Sequence, residues 1–316
     1  MKTAIITDSN SGITQDEAKM LGIKVVPMPF MINGEEFFED INLTQKEFYE
    51  YLKKDVNVST SQPSIGFLSN LFDDVLTEYD EIVYIPMSKG LSKSCESAMI
   101  LAKEMYLNKV YVIDNQRISI TQRQSVLDAI SLRDEGYSAR EIKEVLTHVK
   151  FESEIYIMVD TLKYLKKGGR ITPAAASIGG ALKIKPILKI LGYKLDKFKM
   201  LNRTIDNAKR VFIENACIAY NKYLNIKDRN KPVIAIAYSG IDKNEALDLE
   251  KKLKEIFNIN NIIVNPLSLS VSCHIGSGAL GIAISSGIPT KEGINKILLS
   301  SNINKIEEND INLALN

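Results

Sequence analysis

The first 150 residues alternate short apolar runs with capped amphipathic stretches, and that alternation leaves few folds open. Thr14-Gln15-Asp16-Glu17, Thr44-Gln45-Lys46-Glu47 and Ser138-Ala139-Arg140-Glu141 each place a hydroxyl at a helix start and a carboxylate three residues on, the reciprocal pattern of a capping box. Apolar runs at 4–7, 24–28, 81–85 and 110–113 have strand length. Helical periodicity marks 65–75, through Ile65, Leu68, Leu71, Phe72 and Val75, and also 91–106 and 118–133. Strands separated by helices need crossover connections, which predicts a mostly parallel sheet. In such sheets ligands sit beyond the carboxyl ends of the strands.

The second half reads differently. A strand at 154–159 leads to a short helix ending at Gly168-Gly169, and a small-residue helix is expected from 173 to 179. Segments 183–190 and 193–200 alternate like half-buried strands joined as a hairpin near Gly192. A long helix at 205–224 follows, then strands at 233–238, 262–267 and 279–285 around a helix at 244–257. The expected fold is α/β in two domains. Residues 1–152 form a mostly parallel-sheet domain, 153–287 an α+β domain, and 288–316 an extra tail, with a weak helix at 292–299, that is loosely attached.

Polar runs fall at the strand ends of the first half. They are Asp8-Ser9-Asn10-Ser11-Gly12, Ser59-Thr60-Ser61-Gln62-Pro63-Ser64, Ser88-Lys89-Gly90-Leu91-Ser92 and Asp114-Asn115-Gln116. The run at 59–64 gathers four hydroxyls around one proline. Hydroxyls and free N–H groups at such a junction suit an oxyanion, and the absence of a cation favours a carboxylate over a polyphosphate. The competing reading is a Ser N-cap beside a proline turn. His274 stands between Cys273 and a glycine loop, either as a site residue or as a structural histidine. Arg170 follows Lys166-Lys167-Gly168-Gly169, where the cations complement a helix C-terminus or Arg170 reaches an anion.

Other chemistries find less support. Gly276-Ser277-Gly278-Ala279-Leu280-Gly281 matches the dinucleotide spacing, but a strand-like run follows it instead of a helix. The chain has no Walker motif, and one Cys beside one His lacks the further ligands of a zinc site. No cofactor or metal is expected. Net charge is only +1, yet 163–210 holds thirteen Lys and Arg against two acids, Asp196 and Asp206. That stretch is either a solvated surface or a docking face for nucleic acid, an anionic membrane or a protein partner. Few aromatics interleave there, which argues against nucleic acid. No apolar run approaches the ~20 residues of a membrane span. Three scattered cysteines and a start without a secretory pattern fit the cytoplasm.

Seven segments in order carry a resemblance: Thr7-Asp8-Ser9, Thr60-Ser61-Gln62-Pro63-Ser64, Ile85-Pro86-Met87-Ser88-Lys89-Gly90-Leu91-Ser92, Val112-Ile113-Asp114, Thr161 through Ile171 with its Lys166-Lys167-Gly168-Gly169-Arg170, Lys183-Ile184-Lys185-Pro186-Ile187-Leu188, and His274 through Gly281. Over about 3–285 the chain resembles the DegV family of bacterial fatty-acid-binding proteins. The resemblance implies one long-chain fatty acid between the two domains, its carboxylate held by Thr60, Ser61 and Ser92 with Arg170 and His274 close by. It implies a non-catalytic acyl-carrier subunit, with a separate ATP-binding fatty acid kinase subunit forming the acyl phosphate for phospholipid synthesis. Arg203 matches the family arginine that engages that kinase, and transient membrane contact is compatible. The chain departs from the pattern at Lys93-Ser94-Cys95 and Asn115-Gln116, and Lys93 adds a positive charge near the carboxylate. The alternative is an enzyme acting on a small carboxylate or phosphate ester through a serine and His274.

Overall fold

A computed structural model describes residues 1–177, 184–190, 194–202, 205–240 and 242–301. The chain opens with β1 (Thr3–Asp8), α1 (Gln15–Leu21) and β2 (Lys24–Val26). A small unit follows: β3 (Phe30–Ile32), β4 (Glu35–Phe37), α2 (Gln45–Lys53) and β5 (Val58–Thr60). Next come α3 (Ile65–Val75), β6 (Glu81–Ile85), α4 (Ser94–Met105), β7 (Val110–Val112), α5 (Ile120–Asp134) and α6 (Ala139–His148). Strands β1, β2, β6 and β7 form one parallel sheet in the order β2-β1-β6-β7, as the crossover argument requires. Alternate residues of β1 face opposite layers. Ile5 packs with α1, α5 and α6, whereas Ala4 and Ile6 pack with α3 and α4.

The remainder is β8 (Ser153–Met158), α7 (Lys163–Gly168), α8 (Pro173–Ala176), β9 (Ile184–Ile190), β10 (Leu195–Asn202), α9 (Ile205–Leu224), β11 (Val233–Tyr238), α10 (Asn244–Phe257), β12 (Ile263–Pro266), α11 (Leu269–Ile275) and β13 (Leu280–Ser285). Its strands make a six-stranded sheet in the order β10-β9-β8-β13-β11-β12. Only β11 and β12 pair in parallel there. The sheet's two faces have different partners. Tyr156, Ile236 and Ile282 pack on residues of α9 and α10. Ile155, Ile157 and Leu188 instead join Met28, Met87, Leu91 and Ile118, which lie in loops after the strands of the first sheet. This shared apolar layer brings the strand-end loops against the second sheet.

Three elements depart from the sequence reading, one of them α11, which no residue pattern marked. The small antiparallel sheet β4-β3-β5 was not expected, because its strands have only three residues each. Its signal is Asn33-Gly34, where both residues take positive φ and close a tight hairpin between β3 and β4. The start of the tail is also not loose. Residues 291–301 are helical, and Ile294 and Ile297 are buried among Ile13, Val126 and Leu146. Thr290 N–H donates to the Asp228 carbonyl, and the Lys296 Nζ pairs with Asp228 at 2.9 Å. The isolated weakness of that helix hid the fact that it completes a core built by distant segments.

Truncating a fully buried Ile leaves a cavity costing about 2–4 kcal/mol. Ile294→Ala is therefore expected to lower unfolding free energy in urea by about that amount. A change within about 0.5 kcal/mol would show that this helix contributes nothing to the core.

Candidate functional site

Two strand-end loops of the first sheet, those after β1 and β6, are held in place by one buried carboxylate. Asp8, at the end of β1, accepts from Met87 N–H at 2.8 Å, Asn10 N–H at 3.0 Å, Asn10 Nδ2 at 2.9 Å and Gln122 Nε2 at 3.0 Å. Burial pushes its carboxyl up, and those four donors oppose the shift. Asp8 so fixes the loops after β1 and β6 against α5. Asn10 carries the network onward, accepting from Ser270 Oγ on α11 at 2.6 Å.

These loops, β5 and α11 enclose a cavity of about 200 Å³. Thr60, Ser61, Ser92, Arg170 and His274 all line it, together with Lys93. Five candidates scattered over 215 positions thus converge on one space. Met28, Met87, Leu91, Ile118, Leu165 and Leu195 supply apolar wall. The hydroxyl run divides its work: Ser64 accepts from Phe67 N–H as the N-cap of α3, while Thr60 and Ser61 face the cavity. The N-cap reading of that run holds at Ser64. Arg203 lies outside the described residues.

In the lining, Thr60 Oγ1 and His274 Nε2 are 2.9 Å apart. The ring's other nitrogen rests on Gly168, where a Cβ would overlap Nδ1. Glycine is required there for room. Burial, with the Arg170 guanidinium adding to it, pushes His274 down to about 4, so the imidazole is neutral at pH 7. Arg170 donates through Nε to the Leu91 carbonyl at 3.3 Å and through Nη1 to the Gly168 carbonyl. It therefore joins the loop after β6 to the helix that supports His274. Ser92 Oγ accepts from Ser94 N–H at 3.2 Å in the first turn of α4. The site offers hydroxyls, a neutral imidazole and two cationic side chains above an apolar wall. That donor set matches an anionic head on an apolar body.

Sequence reasoning missed Asn10 and Ser270 as lining residues. Asn10 sat in a flagged polar run, but nothing in 268–275 marked a helix. The spacing of Ser270 and His274 acquires meaning only once α11 places them one turn apart. The glycine loop is explained by its neighbours: a Cβ at Gly276 would meet the Tyr164 ring, and one at Gly278 the Asp160 carboxylate. Several cations of the basic stretch are also engaged within the fold, Lys163 with Asp55, Lys189 with Glu154, Lys209 with Glu245 and Arg210 with Glu214. Among the described residues no group of three His, Cys, Asp or Glu side chains is placed to hold a metal, and no helix is long and apolar enough to cross a membrane.

Residues 2–287 match the profile of a family described as uncharacterised DegV proteins. The chain belongs to the DegV family. A DegV domain-containing protein of Staphylococcus aureus (strain N315) is 30% identical over 287 residues, covering 90% of this chain and 98% of the relative. Among solved structures, a DegV family protein from Thermus thermophilus, described for its fatty acid binding, superposes with a TM-score of 0.81 at 26% identity, covering 90% of this chain and 100% of that one. DegV from Bacillus subtilis, described as a fatty acid binding protein, gives 0.79 at 29% identity, with 90% and 99% covered. The DegV match ends at residue 287, before the helix at 291–301.

Gly168→Ala is expected to push His274 out of contact with Thr60 without unfolding the protein. The imidazole pKa, followed by NMR, should rise from about 4 toward the ordinary 6.5. A variant ring that still titrates near 4 would contradict the steric role of Gly168.

Proposed function

We propose that this chain binds one long-chain fatty acid, with the carboxylate at the Thr60–His274 end of the cavity and the chain along the apolar wall. The observation that carries the reading is the convergence of Thr60, Ser61, Ser92, Arg170 and His274 on one cavity that also has an apolar wall of Met28, Met87, Leu91, Ile118, Leu165 and Leu195. Fatty acid binding by the Thermus thermophilus and Bacillus subtilis relatives supports it. So does the arithmetic of transfer. A C16 chain gains on the order of 10 kcal/mol gross at ~0.8 kcal/mol per methylene, before ordering costs. The carboxylate needs donors to offset its desolvation, and the hydroxyls and the guanidinium supply them, with His274 holding Thr60 in place.

We read the protein as a non-catalytic carrier whose fatty acid carboxylate is presented to a separate ATP-dependent kinase subunit. Acyl phosphate formed there would feed phospholipid synthesis. Arg203 and the cations around it are the proposed docking face. The proposed division is a domain over 1–152 and a second over 153–287, with the ligand between them. Three free cysteines fit a cytoplasmic setting. The carrier reading is preferred to a serine–histidine hydrolase because the His274 ring has Thr60 on one nitrogen and Gly168 against the other. Neither side presents a carboxylate to orient a general base.

Native mass spectrometry of gently purified protein should show a co-purified acyl chain. A protein that stays empty and ignores added palmitate and oleate would overturn the reading. Thr60→Ala removes one donor to a charged group and should weaken palmitate binding by about tenfold or more. Equal affinity would remove Thr60 from the head-group site. For Arg203→Glu, palmitate affinity should persist while kinase-coupled acyl phosphate formation falls. Loss of lipid binding in that variant would mean the arginine serves the cavity instead.

A further inference from the structure

The three-stranded unit that carries Thr60 also grips α11, the helix that carries His274. Phe30, Phe48 and Tyr49 form one apolar cluster with Leu269 and Cys273 of α11. Polar contacts run along the whole helix. Glu39 Oε2 accepts from Leu269 N–H at 2.8 Å, in the first turn. Tyr49 OH and Ser272 Oγ are 3.0 Å apart in the middle. Thr60 meets His274 at the far end. Gln45 completes the grip: its Nε2 donates to Glu39 Oε1 at 2.6 Å and to the Leu267 carbonyl, just before the helix, at 2.9 Å.

We propose that Glu39 is a positioning residue for the cavity, setting through α11 where His274 stands against Thr60 and coupling that position to its own protonation. Its role in lipid affinity rests on the fatty acid reading above; its hold on His274 does not. The helix has only seven residues, so a shift at Leu269 reaches His274, five residues on, as a rigid displacement. An ionised Glu39 makes a charge-assisted bond to Leu269 N–H, and a neutral one makes a weaker bond. The two forms also ask opposite things of Gln45. Its Nε2 serves the carboxylate and Leu267 together, while its buried Oε1 has no partner. A protonated Glu39 needs an acceptor, and turning the amide to provide one withdraws the donor from Leu267.

The groups around Glu39 leave it close to balance. Asp40 follows it in the chain, with Asp16 of α1 beyond Asp40, while the Tyr49 hydroxyl of α2 and the Cys273 thiol of α11 face it. Burial, with a smaller push from Asp40, raises its carboxyl to about 7. Both forms are then populated near neutral pH.

The chain has only two histidines, His148 and His274, so two imidazoles can be followed by 15N NMR and assigned with His148→Gln. In the ligand-free protein the His274 nitrogens should shift with an inflection near pH 7, far above the ring's own titration near 4. Glu39→Gln should abolish that inflection. Asp40→Asn, an exposed substitution, should move it to lower pH, and Tyr49→Phe should leave it in place. A wild-type ring that is silent between pH 6 and 8, an inflection that survives Glu39→Gln, or one unmoved by Asp40→Asn would overturn the proposal. With palmitate added, affinity should change several-fold across the same range in the wild type and stay flat in Glu39→Gln. Palmitate that binds at no pH would sink the fatty acid reading alone, because the imidazole inflection decides the Glu39 link without ligand.

Discussion

A neutral imidazole wedged between a glycine and a threonine organises the polar lining of the cavity. His274 has room only because position 168 lacks a Cβ, and its free nitrogen is met by Thr60, 214 residues away in the chain. Neutrality follows from burial beside Arg170. Protonation would place two cations together in a partly desolvated space, so the ring serves as a hydrogen-bonding group and leaves positive charge to Arg170 and Lys93. An anion entering the cavity would reverse that balance and favour proton uptake by the ring. The native state resists protonating His274 while an unfolded chain takes up the proton near 6.5. Its contribution to stability is therefore complete above that pH and is lost as pH falls toward 4.

The rest of the fold explains how such distant residues meet. A parallel sheet delivers its loops to one edge, and Asp8 ties the loops after β1 and β6 into one support. The second sheet presses its apolar face against that edge through Ile155, Ile157 and Leu188. Between them the small unit from β3 to β5 acts as an adaptor, with its own aromatic core set on α11. The cavity is therefore bounded by groups whose positions are fixed by packing elsewhere, which is what preorganised binding requires.

Much of this was legible in the residues. Capping boxes at Thr44 and Ser138 mark helix starts that the structure reproduces, with both reciprocal bonds formed. Polar runs at 8–12 and 88–92 follow strands of the parallel sheet and reach the cavity through Asn10 and Ser92, whereas the run at 59–64 reaches it from β5 of the small antiparallel sheet. What stayed hidden depends on contacts between remote segments. The helix of His274 has seven residues and no side-chain cap, so local propensity gives it no signature. Asn10 and Ser270 become neighbours only through the fold. The terminal helix looked weak alone because its stability comes from Ile294 and Ile297 in a core made by others.

The central claim is that a fatty acid carboxylate lies against Thr60 and His274. Palmitate labelled with 13C at the carboxyl carbon tests it directly by NMR. The account predicts a discrete protein-bound carboxyl resonance, saturating at one equivalent, that stays ionised below the pH at which free palmitate protonates and that shifts when position 274 is changed. A label that keeps the signal of free palmitate at every protein concentration, or a bound signal indifferent to His274, would contradict it.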